Sequence, residues 1–162
     1  MGELVIQIRP AQPHEAEALF LVQRSSALAG FAHIFDPVEH PFPDAAERAR
    51  WTAQINSPHI DVLVAESDDA PVGVAVVEAD NLERLFVAPE RWGMGVGSLL
   101  HDAVIELVRQ KGRTRCQLWV LTENSQARAF YEKRGWKLDG RTRHAHFPPF
   151  PPAVGYTLDL AE

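Results

Sequence analysis

The chain has 162 residues, a net charge of −6, 46% hydrophobic and 23% charged residues. This length suits one domain around one core, and the composition is that of a soluble globular protein. The acidic balance, with no basic run, argues against nucleic-acid binding, and no apolar stretch is long enough to span a bilayer. A single cysteine, Cys116, precludes an internal disulfide and points to a reducing cytoplasm. The opening MGELVIQIRP lacks the basic and apolar regions of a secretory signal, and Ile6 stands where myristoylation needs Ser or Thr.

Leu4 to Arg9 is a short β-like run punctuated by Pro10 and Pro13. His14 to Ala29 predicts a helix, with Ala16, Leu19, Phe20 and Leu28 among its apolar positions and Gly30 at its end. Phe31 to Pro43, rich in aromatics and prolines, reads as an ordered loop. Asp44 is placed to cap a second helix that runs to Gln54. Asp61–Glu66 and Val72–Glu78 predict two strands around the turn-forming SDDAP, and Leu82–Val87 predicts the next strand. Val96, Leu99, Leu100, Ala103, Val104, Leu107 and Val108 then recur at helical spacing, leaving His101, Asp102, Glu106, Arg109 and Gln110 mostly on the other face. Arg115–Leu121 is a further strand, and Ser125–Arg134 a short helix capped by Asn124 and stopped by Gly135. Trp136 opens a strand, Arg141–Pro152 reads as a loop, and Gly155–Leu160 closes the chain as a strand. The order describes a mixed α/β fold of one domain, with residues 82–121 expected to form a right-handed parallel crossover.

Three glycines at alternate positions, Gly93, Gly95 and Gly97, lie between the Leu85–Phe86–Val87 strand and the helix that follows. Glycine lets backbone N–H groups converge with no Cβ in the way, and the first N–H groups of a helix lack internal partners. With the helix dipole, this predicts an anion site. A tight turn with no ligand is the plainer reading of such a cluster taken alone.

Downstream, Asn124 to Trp136 reads NSQARAFYEKRGW: Asn, then Ala three residues on, then Phe–Tyr, then Gly and an aromatic. Together with Gly95 and Gly97 in the small positions of an Arg/Gln-x-x-Gly-x-Gly/Ala loop, this resembles the GNAT superfamily of acetyl-CoA-dependent N-acetyltransferases, over roughly residues 82–140. The resemblance implies a GNAT-like acyl-CoA N-acyltransferase fold over residues 1–162, acetyl-CoA as co-substrate and no metal. It implies that the N–H groups of Trp92, Gly93, Met94, Gly95, Val96, Gly97 and Ser98 cradle the CoA pyrophosphate. The backbone of Leu85, Phe86 and Val87 would bond the pantetheine arm between partly separated strands. Asn124 would bind the cofactor through its amide, and Ala127, Phe130 and Lys133 would line the far side of the groove. One position departs from the pattern: Trp92 stands at the Arg/Gln place, and the sequence leaves open whether Arg91, one residue earlier, replaces it.

Expulsion of the CoA thiolate calls for an acid. Tyr131, with a pKa of about 10, keeps its proton at neutral pH and is the candidate. An acceptor amine must lose a proton before it attacks, and Glu83, on the strand beside the expected thioester, is the first candidate base. Glu123 is a second carboxylate, equally readable as a solvated strand end. Phe31, His33, His40, Phe35 and Phe42 in the aromatic loop are candidates for acceptor contacts, and His144 and His146 near the C-terminus for base or acceptor contacts; two histidines without a third ligand make a poor metal site. Cys116, inside an apolar run, reads as a buried structural thiol, which favours direct transfer in a ternary complex over a ping-pong route. The acceptor is then an amine of a small molecule or peptide, with a homodimer compatible with the family. A non-catalytic acyl-CoA-binding sensor on the same fold is the alternative.

Overall fold

The structure, a computed structural model, describes residues 5–160. Its elements are β1 (Gln7–Pro10), α1 (Ala16–Gly30, entered through a 3₁₀ turn at Pro13–Glu15), α2 (Asp44–Asn56), β2 (Ile60–Ser67), β3 (Ala70–Glu78) and β4 (Asn81–Val87). A 3₁₀ turn at Pro89–Arg91 leads to α3 (Val96–Gln110), followed by β5 (Arg115–Leu121), α4 (Ser125–Lys133), β6 (Lys137–His144) and β7 (Pro152–Asp159). The strands form one sheet in the order β1-β2-β3-β4-β5-β7-β6. Every neighbouring pair is antiparallel except β4 and β5, which are parallel.

Alternation along the strands sends side chains to two layers. Val62, Val64, Val74 and Val76 meet Leu19 and Phe20 of α1 and Trp51 of α2. Ala65, Ala75, Val77, Cys116 and Leu118 meet Val96, Leu100, Val104 and Val108 of α3, with Tyr131 of α4 and Trp136. At Gly73 the helix comes so close that an added Cβ would lie 2.9 Å from Leu100 Cδ1 and 3.2 Å from the Phe86 carbonyl oxygen. The β2–β3 hairpin turns on Asp68 and Asp69, with φ of 53° and 62°, the left-handed pair that suits a two-residue hairpin loop.

Several expectations are corrected. Leu4, the expected start of the first strand, lies outside the described residues, and the strand runs Gln7–Pro10. Asp44 is the first residue of α2 rather than its cap; its carboxylate accepts from Arg24 Nε at 3.0 Å instead. Leu28 is exposed on α1. His101 is buried in the α3 layer although its spacing put it with the polar face, and Leu99 is exposed. The segment from Arg141 to His144 belongs to β6 rather than to a loop. Polar residues on both faces of an edge strand leave no period-two pattern to read.

Candidate active site

The site begins where two parallel strands part. The β4–β5 ladder is one registered pair, Asn81 with Gln117, reinforced by Gln117 N–H donating to the Asp80 carbonyl at 2.8 Å. Beyond it, Leu85–Val87 and Trp119–Leu121 have no ladder between them, while β4 stays paired to β3 and β5 to β7. Leu85 and Val87 pack toward α3 and Phe86 toward α1 and α2.

The glycine loop leads from the end of β4 into α3. Gly93 and Gly95 have φ of +77° and +85°, values that favour glycine. Gly95 is the N-cap of α3, and no side chain caps this helix end. Its first N–H groups therefore remain available to an anion. Trp92, Gly93, Met94 and Gly95 are exposed, Val96 is buried, and Gly97 and Ser98 are half-buried. Gly97 serves a different need: a Cβ there would lie 3.3 Å from Phe130 Cε2, so its absence lets α4 close onto α3. Trp92 does not point its ring into open solvent; its Nε1 donates to the Val87 carbonyl at 2.7 Å. One of the backbone groups expected for the pantetheine thus already has a partner. Arg91 is turned toward the β2–β3 hairpin, where Nη2 lies 3.4 Å from Asp68 Oδ2.

On the far bank, Asn124 caps α4, its Oδ1 accepting from Ala127 N–H at 3.2 Å. That leaves its amide nitrogen without a hydrogen bond among the described residues. Ala127 and Phe130 are half-buried against the α3 layer, and Lys133 is exposed. Tyr131 is 8% exposed, its ring set edge-on to Phe130 (5.2 Å) and Trp136 (5.5 Å). No hydrogen bond to its hydroxyl forms among the described residues. Burial and the neighbouring Cys116 push the phenol above its ordinary value. α4 is held to β7 by Tyr156, whose hydroxyl donates to Glu132 Oε2 at 2.7 Å and accepts from Arg128 Nε at 2.9 Å.

Glu83 occupies a β-bulge. Val76 faces Arg84 and Val77 faces Leu82, so Glu83 is the extra residue and stands exposed. The bulge turns Leu82 toward α3 while Arg84 enters the opposite layer, over the Trp51 ring at 4.4 Å and 3.1 Å from Glu47 Oε2. Burial lowers the Arg84 guanidinium to about 10. Across the parting, Trp119 lies under two guanidinium groups, Arg143 at 4.3 Å and Arg141 at 4.6 Å. Arg143 feels the Glu83 carboxylate electrostatically.

The expected acceptor residues are not gathered at one point. His33 donates from Nε2 to the Glu123 carbonyl at 3.1 Å, tying the aromatic loop across to the β5–α4 turn. Phe35 bridges Phe31 (6.2 Å) and Phe147 (5.5 Å), so this loop meets the β6–β7 loop. Phe42 instead packs on Phe20 in the core. His144 is tied through Nδ1 to the Phe150 carbonyl at 2.9 Å, and His146 is exposed. Among the described residues no group of three metal-ligating side chains forms. Cys116 is fully buried, and burial pushes its thiol up to about 12.

Sequence reasoning passed over Arg134, Trp119, Arg143 and the buried face of His101. Arg134 alone carried a local signal, being four residues beyond Phe130 on one helical face. His101 Nε2 accepts from Trp136 Nε1 at 2.9 Å, a pairing between residues far apart in the chain. The imidazole is therefore held neutral, its pKa lowered by burial.

The model of the acetyltransferase (GNAT) family matches residues 28–136. The chain is 30% identical over 142 residues to the peptidyl-lysine N-acetyltransferase YjaB of Salmonella typhimurium, spanning 86% of this chain and 88% of that protein. It is 25% identical over 156 residues to the probable N-acetyltransferase Rv2775 of Mycobacterium tuberculosis, spanning 85% of this chain and 83% of that protein. Among solved structures, a GCN5-related N-acetyltransferase from Rhodopseudomonas palustris superposes with a TM-score of 0.82 at 22% identity, over 98% of this chain and 100% of that one. The PaiA N-acetyltransferase of Thermoplasma acidophilum, solved with coenzyme A, gives 0.74 at 23% identity, over 93% of this chain and 98% of that one. Sequence family and fold agree, and this chain belongs to the GNAT family of N-acetyltransferases, enzymes whose acetyl donor is acetyl-CoA.

Proposed function

We propose that this enzyme passes the acetyl group of acetyl-CoA directly to an amine of a peptide or small molecule, with Tyr131 as the acid. The observation that carries the reading is the parting of β4 from β5 beside an uncapped, glycine-led helix, with an unpartnered tyrosine hydroxyl on the opposite bank. The peptidyl-lysine specificity in the name of the YjaB relative favours a lysine side chain among the amines.

In this reading the parted edges of β4 and β5 receive the pantetheine, and the N–H groups from Gly93 to Ser98 receive the pyrophosphate; the Trp92 N–H, expected in the same cradle, already donates to the Pro89 carbonyl at 3.1 Å. The acceptor approaches from the sheet face that carries Glu83 and Trp119. A lysine-like amine of pKa about 10.4 arrives protonated, and Glu83 takes its proton through water. The amine nitrogen then bonds to the thioester carbon and gives up a second proton to water, the C–S bond breaks, and the sulfur leaves with the electron pair. Tyr131 donates first a hydrogen bond and then its proton to that sulfur, and the phenolate regains a proton from solvent. Even at the ordinary value of about 10, a phenol protonates a thiolate of pKa about 8.5 only uphill, by about 2 kcal/mol, and burial makes the Tyr131 phenol a still weaker acid. Tyr131 therefore acts chiefly by holding the leaving sulfur in a hydrogen bond as charge develops.

Free-thiol release from acetyl-CoA, measured across lysine peptides, polyamines and aminoglycosides, tests the reading. Tyr131→Phe should keep CoA affinity and lower kcat by about 10². Equal turnover by wild type and Tyr131→Phe would remove Tyr131 from the chemistry. Binding of acetyl-CoA without release on any amine would favour a sensor instead.

A further inference from the structure

The loop position that resembles an Arg/Gln site holds Trp92, whose indole is spent on the Val87 carbonyl at 2.7 Å. Arg91, the neighbouring cation, is turned to Asp68. A different guanidinium stands at the head of α3. Arg134, the residue after α4, folds back with its Cζ 3.6 Å from the centroid of the Phe130 ring. Its Nη1 donates to the Phe130 carbonyl at 2.9 Å, and its Nη2 donates to Ser98 Oγ. Ser98 is the third residue of α3, and Phe130 is the ring that fills the space left by Gly97. Arg134 is thereby fixed against the first turn of the helix from the α4 side.

The placement is electrostatically one-sided. A helix N-terminus carries partial positive charge and repels a cation. Arg134 has no carboxylate partner among the described residues; a carbonyl and a hydroxyl hold it. Those two bonds use two of the five N–H groups of a guanidinium and leave three, Nε–H among them. Two positive elements face one place, and no carboxylate among the described residues pairs with Arg134 there. An anion with several acceptor oxygens satisfies both together.

We propose that Arg134 supplies to the pyrophosphate of CoA the guanidinium that the glycine loop lacks at Trp92. The inference rests on the reading that this loop binds CoA. The phosphate oxygens take the remaining N–H groups of Arg134 on one side and the backbone N–H groups of the α3 head on the other. The stacking on Phe130 fixes the guanidinium plane before the ligand arrives.

Calorimetry on wild type, R134Q and R134K with CoA, dephospho-CoA and pantetheine tests this. R134Q should weaken CoA and dephospho-CoA alike, by about tenfold, the size of one charge-assisted contact. It should also flatten the salt dependence of CoA affinity and leave pantetheine affinity unchanged, with R134K recovering part of the loss. Wild-type affinity in R134Q overturns the proposal. So does an equal loss toward pantetheine, which would mark a packing role over Phe130. Loss toward CoA but not dephospho-CoA would move Arg134 to the 3′-phosphate and overturn the pyrophosphate assignment. Failure of the wild type to bind CoA would refute the cofactor reading itself, a result distinct from any of these.

Discussion

Tyr131 and Cys116 lie in the same apolar layer, and the same burial raises both. The consequences differ because the proposed role of Tyr131 and that of a nucleophilic Cys116 need opposite protonation behaviour. A raised phenol stays protonated, the form an acid needs. A raised thiol also stays protonated, which removes the thiolate a nucleophile needs. With the thiol at about 12, on the order of one Cys116 in 10⁵ is ionised at pH 7. Cys116 should therefore resist alkylation by iodoacetamide in the native protein and react only as the chain unfolds in urea, and Cys116→Ala should retain turnover. Rapid native labelling that abolishes acetyl transfer would restore a covalent route. Glu83 shows how little a residue's identity says alone, because the bulge that leaves it unpaired arises from the register between β3 and β4.

At the scale of elements, α3 and its loop connect the sheet to the proposed anion site. The helix face built from Val96, Leu100, Val104 and Val108 anchors it to the sheet, so the loop ahead of it is held at the parted end of β4. Gly95 sets the angle between loop and helix through its left-handed backbone. A Cβ at Gly95 meets nothing within 4 Å, so the cost of Gly95→Ala is conformational alone. We expect about 1–2 kcal/mol of lost stability, read by urea denaturation, together with weaker CoA binding as the loop relaxes toward negative φ. Unchanged CoA affinity in a destabilised Gly95→Ala would separate the turn from the anion site. The helix α4 depends on both neighbours: Asn124 starts it, Gly135 (φ +92°) ends it, and the Tyr156 hydroxyl fastens its outer face.

For the molecule as a whole, β6 is the edge strand beyond β7, and Asp139 helps to hold it. Asp139 accepts from Arg141 and from Thr157 Oγ1 at 2.7 Å, while Arg141 Nη2 reaches the Leu118 carbonyl at 3.2 Å, across β7 on β5. Arg141 first, then Thr157, hold the Asp139 carboxyl at about 2, against an ordinary 3.8. The folded value lies below the unfolded one, so its stabilisation is complete above pH 3.8 and is lost as pH falls toward 2. With solvent screening it amounts to about 1–2 kcal/mol. Asp139→Asn should lower the melting temperature at pH 6 and narrow its gap to wild type between pH 4 and pH 2, as read by thermal denaturation followed by circular dichroism. A gap independent of pH would assign the effect to packing.

What the amino-acid order determined by itself was local. The Leu82–Val87 strand, the α3 period, the Arg115–Leu121 strand and the Asn124 cap each rest on contacts within about one turn or one hairpin. Both motifs belong to that class, because glycine positions and a capped helix need no distant partner. Tertiary structure alone decided which faces met. It buried His101 by giving its Nε2 the Trp136 indole, and it spent the Trp92 ring on the Val87 carbonyl. It also parted β4 from β5 after one registered pair, and it laid the Arg134 guanidinium against the head of α3. The physical reason is plainest for His101 and Trp136. A buried polar group must find a partner wherever the fold supplies one, and that partner lies on another element, beyond the reach of any periodicity along the chain.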